Sequence, residues 1–154
     1  MRKLTVLLAI GLMTACSPAA DSPAKSSVQT VYEGFAAGDI ALATSTMSPD
    51  IVWMEAEGNP YSDMNPYEGP EAIVNGVFAR IGAEWESFTA VPEEYFVEGC
   101  RVAVLGRYQA THLQTGSSID IPFVHVYTVR DGEIIDFQQH TDTRILSDAM
   151  MVDD

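Results

Sequence analysis

Apolar positions recur every three to four residues in the first half of the chain and every second residue in the last half. Val28, Val31, Tyr32 and Phe35 fall at i, i+3, i+4 and i+7, which is one face of a helix. Ser22-Pro23 and Ser26-Ser27 are both suitable helix starts. Gly38 suits the position just past the helix end, and Asp39 can cap a second helix over residues 40–47, ended by Ser48-Pro49. A short strand over 51–55 contains Trp53. Residues 57–69 are rich in Gly, Pro, Asn, Asp and Tyr, and predict a long loop of the kind that serves as a lid. Pro70 then opens a third helix with Ile73, Val77 and Ile81 as its buried stripe and Val74 and Phe78 beside it.

From residue 86 the period changes to two. Strands are predicted over 86–97 and 101–113, with a turn at Glu98-Gly99 between them and another at Gly116. Residues 121–143 read as a hairpin about Asp131-Gly132, because both central residues of a type I′ turn need a positive φ. Pairing Arg130 with Glu133 then sets Val129 opposite Ile134, Tyr127 opposite Asp136, His125 opposite Gln138, Phe123 opposite His140 and Ile121 opposite Asp142. These ten residues would share one face. That face is apolar near the turn and carries two histidines and a carboxylate farther away, as a small-molecule pocket needs. Residues 145–151 predict a short terminal helix. Helices followed by sequential strands at hairpin spacing give an α+β domain, its sheet mostly antiparallel with helices on one face.

The 154-residue length suits one domain and a leader. Arg2 and Lys3 precede an apolar run over 4–13, too short for a membrane span, and Thr14-Ala15-Cys16 follows. This predicts a signal peptide over 1–15, a tether over 16–26, the domain over 27–148 and a tail over 149–154. The run ending at Cys16 resembles a bacterial lipoprotein signal, which implies a lipidated Cys16 and an envelope location, on the periplasmic side or secreted. An ordinary signal cut nearby is the alternative. Lipidation would leave Cys100 alone, without an intrachain disulfide. The formal charge is −14, and loss of Arg2 and Lys3 with the leader makes it −16. Such a charge opposes nucleic acid and anionic lipid, so the expected membrane link is the lipid anchor only.

Three groups are candidates for acid/base chemistry. Asp142, beside His140 and opposite Ile121, is a carboxylate whose charged form burial disfavours. The bland alternative is an aspartate that caps a terminal turn. Glu55 ends the first strand just before the predicted lid. His125, central in its strand, is placed to donate to a developing enolate, or else to bond Tyr32 or Gln138 as a core histidine. Trp53, Phe123, Tyr127, His140 and Tyr32 are candidate pocket contacts. Two histidines with Asp142 also raise a metal site, but the spacing matches no standard motif, and neither metal nor cofactor is expected. No nucleophile elbow or phosphate-binding glycine loop is present.

Taken together, the 28–40 segment with Ala37-Gly38-Asp39-Ile40, the run Tyr67-Glu68-Gly69-Pro70-Glu71-Ala72-Ile73, and the run from His125 through Arg130-Asp131-Gly132-Glu133-Ile134 with Thr141-Asp142-Thr143 resemble the nuclear transport factor 2-like superfamily, in its SnoaL-like and ketosteroid-isomerase-related branch. The resemblance spans residues 26–147. It implies a cone-shaped, curved antiparallel sheet wrapped on the N-terminal helices, often a homodimer through the sheet. The superfamily includes isomerases, cyclases, dehydratases and epoxide hydrolases, so fold does not decide activity. By the resemblance, the steroid isomerase's catalytic aspartate falls on Glu55, its oxyanion-hole tyrosine on Val31 beside Tyr32, and the partner acid on His125. The aspartate of SnoaL-like cyclases is matched by Asp142. The missing tyrosine argues against steroid isomerisation. The expected function is an isomerase, cyclase or hydratase acting on a small carbonyl compound. The alternative is a non-catalytic ligand-binding or dimeric interaction domain.

Overall fold

The structure, a computed structural model, describes residues 22–152. The leader and Cys16 lie outside them. Helix α1 (Pro23–Ala37) begins where the Ser22 hydroxyl accepts a bond from the Lys25 N–H at 3.2 Å, with Pro23 in the first turn. Residues 23–26, expected in the tether, are therefore helical. Gly38 ends the helix at φ 68°, and the Asp39 carboxylate caps α2 (Ile40–Thr44) through the Leu42 N–H at 2.9 Å. The second helix is shorter than expected because residues 47–50 join β1 (Met47–Met54), held by the bond from the Ile134 N–H to the Thr46 carbonyl.

A single 3₁₀ turn (Pro60–Ser62) and strand β2 (Tyr67–Glu68) interrupt the predicted loop. The third helix is not continuous: α3 (Pro70–Ile73) passes through a π turn (Val74–Phe78) into α4 (Ala79–Glu84). The widened turn buries Gly76, Val77 and Phe78 together. Gly76 lies against the Tyr67 ring, where a Cβ would overlap it.

Four strands complete the sheet: β3 (Trp85–Glu98), β4 (Arg101–His112), β5 (Ser118–Arg130) and β6 (Glu133–Thr141). The spatial order is β2-β1-β6-β5-β4-β3, antiparallel except where β1 runs parallel to β6. Helix α5 (Thr143–Met150) follows. Val28, Val31 and Tyr32 of α1 join Val102, Val104 and Tyr108 of β4 and Phe123, Tyr127, Ile134 and Phe137 of the hairpin in one core. This is the α+β layout expected, a curved sheet closed over the N-terminal helices.

The hairpin turns at Asp131 (φ 52°) and Gly132 (φ 86°), as the Asp-Gly pair predicts. Its register departs from the expected one. Val129 faces Ile134, but Thr128 then faces Asp136, so Ile135 is an extra residue. Beyond it Tyr127 faces Phe137, His125 faces Gln139 and Phe123 faces Thr141. An unbulged β6 would turn Asp136 and Gln138 inward and Phe137 outward. The bulge lets Ile134 and Phe137 both be buried, at 0% and 1% exposure. Cys100, in the β3–β4 turn, is disulfide-bonded, which departs from the expectation of no disulfide. Its partner lies outside the described residues.

Candidate functional site

A cavity lies between α1, the π turn and the inner face of the sheet. Its wall is mainly aromatic and aliphatic, including Phe35, Phe78 and Phe88, and its polar part is formed by Glu55, Asn59, Tyr108, His125 and Gln139. The room for water-sized groups is about 50 Å³, enough for a few waters, so an organic molecule enters only with movement of the walls.

Glu55 follows the last residue of β1 and is 2% exposed. Asn65 holds its backbone on both sides, accepting from the Glu55 N–H at 3.0 Å and donating to its carbonyl at 2.8 Å. One carboxylate oxygen accepts from the Trp53 indole N–H at 2.7 Å, the other from Asn59 Nδ2 at 2.9 Å. Burial pushes the carboxyl up to about 7, against the opposing pull of the Trp53 and Gln139 donors. Trp53 is itself fixed by stacking on Phe137 at 3.5 Å.

His125 sits on the inner face of β5, stacked on Phe123 at 4.0 Å. Its Nδ1 meets the Tyr32 hydroxyl at 2.7 Å and its Nε2 the Tyr108 hydroxyl at 2.5 Å. Burial, with His140 nearby, pushes the imidazole down to about 3, so the ring is neutral. Burial also raises the Tyr32 and Tyr108 hydroxyls well above the usual phenol range. From the other side, Gln139 Nε2 donates to the Tyr108 hydroxyl at 2.9 Å, and Gln139 Oε1 accepts from Asn59 Nδ2 at 2.6 Å. One hydrogen-bonded chain thus runs from Tyr127 through Tyr32, His125, Tyr108, Gln139 and Asn59 to Glu55.

The predicted residues separate accordingly. Glu55, His125, Trp53, Tyr32 and Tyr127 line the cavity. Phe123 lies behind His125 as its stacking partner. His140 is exposed on the outer face, opposite Val124, because the bulge at Ile135 reverses the phase of β6. Asp142 is the N-cap of α5, its carboxylate accepting from the Ile145 N–H at 3.1 Å. The expected facing of Ile121 with Asp142 and Phe123 with His140 is replaced, and the two histidines and Asp142 do not converge.

Residues 28–137 match the family model described as the SnoaL-like domain. The chain belongs to the SnoaL-like domain family. An NTF2-like protein from Burkholderia thailandensis is 32% identical, with 84% of this chain and 98% of that one covered and a TM-score of 0.79. TerC, co-crystallised with polyporic acid, is 26% identical over 84% of this chain and 98% of its own, with a TM-score of 0.75. A putative SnoaL-like polyketide cyclase from Jannaschia sp. CCS1 has the same fold at 20% identity, covering 83% and 91% of the two chains, with a TM-score of 0.71. No curated protein matches this chain.

The match to the SnoaL-like domain contains Tyr32, Trp53, Glu55, Asn59, Tyr108 and His125 and stops two residues short of Gln139. Asn59, Tyr108 and Gln139 were missed by reasoning from sequence. Tyr108 was legible, since it is in phase with Val102 and Val104 on β4. Gln139 was not, because its direction depends on the bulge.

Proposed function

We propose that this SnoaL-like domain binds a small, mostly apolar carbonyl compound and moves a proton on the carbon next to the carbonyl, with Glu55 as acid and base. The observation that carries this is the Glu55 carboxyl, buried at the cavity wall and raised to about 7. A carboxyl in that range is divided between its two forms at neutral pH, so it both takes and returns a proton. The C–H bond breaks, the proton passes to the Glu55 carboxylate, and the electron pair moves to the carbonyl oxygen as an enolate. Return of the proton to the same carbon is exchange with solvent, and its return to a conjugated carbon completes an isomerisation. Attack of the enolate carbon on a second carbonyl of the same molecule breaks that carbonyl's π bond, and its oxygen takes the proton back from the Glu55 carboxyl, which gives a cyclisation.

The test is hydrogen-for-deuterium exchange at the methyl group of acetophenone in D₂O, followed by proton NMR with wild type and Glu55→Gln. Exchange well above buffer that Glu55→Gln abolishes supports the reading. A wild-type rate equal to buffer, or to the variant, overturns it. The second reading is a non-catalytic binding domain, favoured by a polar network that is complete without a ligand: among the described residues no buried side-chain N or O lacks a partner. The polyporic acid co-crystallised with TerC is compatible with either reading, since both place a small organic molecule in the cavity.

Two further proposals concern setting. The outer sheet face carries Phe96, Ala103 and Val126 in one row and Leu105 and Val124 in the next, with Phe96 54% exposed. A second copy covering this face gives a homodimer, and Leu105→Glu should convert it to monomer in sedimentation equilibrium. The leader directs the chain to the envelope, with lipid on Cys16. Because one sulfur holds either a thioether or a disulfide, the intact mass of the mature protein decides which Cys16 carries.

A further inference from the structure

We infer that the loop over residues 56–64 is the gate of the cavity, latched shut by Tyr61 and Arg80 and hinged where Asn65 bridges the Glu55 backbone. The inference rests on the proposed reading of the cavity as a ligand site, since about 50 Å³ of room admits an organic molecule only if a wall moves. The helical walls move only as whole elements, and α1 buries Val28 and Val31 in the core. The strands are tied to one another through their ladders. The loop has no such ties. Its backbone-to-backbone bonds stay within the segment and its hinge: the Asn59 N–H to the Ala56 carbonyl at 3.0 Å, Ser62 to Asn59 at 2.8 Å and Asn65 to Ser62 at 3.2 Å. Among the described residues none runs from the loop to the sheet or to a helix. The loop is also one residue thick. Glu57, Gly58, Asp63 and Met64 are exposed, whereas Asn59 and Tyr61 between them are buried and line the cavity. Lifting it joins the cavity to solvent.

Side chains hold the loop down. The Tyr61 hydroxyl donates to the Glu84 carboxylate at 2.6 Å and accepts from the Trp85 indole N–H at 2.8 Å. Those directions are fixed, because an indole only donates and an ionised carboxylate only accepts. The Arg80 guanidinium lies 4.9 Å from the centre of the Tyr61 ring and reaches Asp63 at 2.8 Å. Ser147 of α5 donates to the Gly58 carbonyl at 3.1 Å, and Gln139 and Tyr67 bond the Ala56 N–H and the Tyr61 carbonyl. The Arg80 and Asp63 side chains are 30% and 53% exposed, so water competes for that pair and it yields readily. The hinge is firmer. Asn65 bonds both the N–H and the carbonyl of Glu55, which keeps residues 55 and 65 together while the chain between them swings, as in a compact surface loop with closed ends. Asn59 rides on the gate, and its Nδ2 bonds Glu55 Oε2 at 2.9 Å. Opening removes that donor and admits water to the carboxyl. Closing returns Asn59 and expels the water, so Glu55 is desolvated only behind a shut gate.

Native-state hydrogen exchange, followed by NMR on the ligand-free protein, tests this with the Trp53 indole N–H as reporter. That N–H is buried against Glu55, behind the loop. It should exchange together with the Asn59, Ser62 and Asn65 amides, with protection about a hundredfold or more below that of the β4 and β5 ladder amides. Asp63→Ala, at an exposed position, should lower the protection of the loop amides and of the Trp53 indole by one common factor, about two- to five-fold. A Trp53 indole that exchanges only with the ladder amides overturns the inference. So does an indole that keeps its protection when the loop amides lose theirs, since water then enters by another wall. Unchanged protection at both overturns the latch. The acetophenone exchange is read separately. A Trp53 indole that follows the loop, in a protein that leaves acetophenone unlabelled, sustains the gate and overturns catalysis by Glu55. Labelled acetophenone with an indole that follows the ladder does the reverse.

Discussion

Replacing Glu55 by Gln should make the protein more stable at high pH, by an amount that burial of the carboxylate fixes. The folded carboxyl is raised from 4.5 to about 7. An acid raised on folding binds its proton more tightly in the native state, so stability falls as pH rises through the interval between the two values. Below 4.5 the group contributes no penalty, and above 7 the penalty is complete. At 1.36 kcal/mol per unit the full penalty is about 3 kcal/mol, of which about 1 kcal/mol is present at pH 5. Glutamine keeps the shape and the acceptor for Trp53, but its amide N–H₂ opposes Asn59 Nδ2. That mismatch costs about 1–2 kcal/mol at every pH. Urea unfolding of both proteins from pH 5 to pH 9 separates the two effects. The variant should start level or slightly less stable and gain about 2 kcal/mol on wild type by pH 9. His125 does not interfere. Its lowered value makes both proteins lose stability as pH falls below 6.5, and the difference cancels it. Parallel stability curves across this range would refute the claim that Glu55 is a desolvated acid.

Other consequences follow from the same contacts. Trp53→Phe keeps the stack on Phe137 but removes an indole donor that lowers the Glu55 pKa, so a ¹³C titration of that carboxyl should move up by about one unit or more; no movement means the bond carries no weight. Gly76→Ala places a methyl in the Tyr67 ring and should destabilise by about 1–3 kcal/mol, read as a fall of several degrees in Tm by calorimetry; an unchanged Tm would show that the π turn shifts freely. Deleting Ile135 removes the extra residue but keeps Val129 opposite Ile134 and Tyr127 opposite Phe137, so Phe137 stays inward and the near-UV circular dichroism should be retained; its loss would show that the bulge does more than set the phase of β6.

The elements were largely legible because their signals are local. Ser22-Pro23, Gly38-Asp39 and Asp131-Gly132 mark their boundaries by chemistry that acts within four residues, and each acts as expected. The site was legible where side chains sit on elements of fixed phase. Glu55 follows a short strand and His125 lies within a strand of strict alternation. It failed past Ile135, since Ile134 and Ile135 are both apolar and no local rule says which is skipped. One inserted residue exchanged Asp136, Gln138 and His140 for Phe137 and Gln139. Asp142 moved for the same reason, from a pocket carboxylate to a helix cap.

The polar chain from Tyr127 to Glu55 is an inefficient way to stabilise a core. Each member is buried and paired, yet paired polar groups return little net stability, and a carboxyl that must ionise against burial subtracts from it above pH 7. Leucine or phenylalanine at the same positions would satisfy the alternation of β4, β5 and β6 equally well. Two backbone amides are instead committed to orienting the Asn59 and Gln139 side chains between Glu55 and Tyr108. Such an outlay makes sense if the carboxyl beside them meets something that enters the cavity. The comparison that weighs this is Glu55→Gln at pH 8, which removes the charge and keeps the acceptor for Trp53. If the carboxyl serves a ligand, the variant should unfold at higher urea concentration than wild type while losing acetophenone exchange. If it unfolds much earlier, the network is there to hold the fold, and the case for chemistry at Glu55 loses its main physical support.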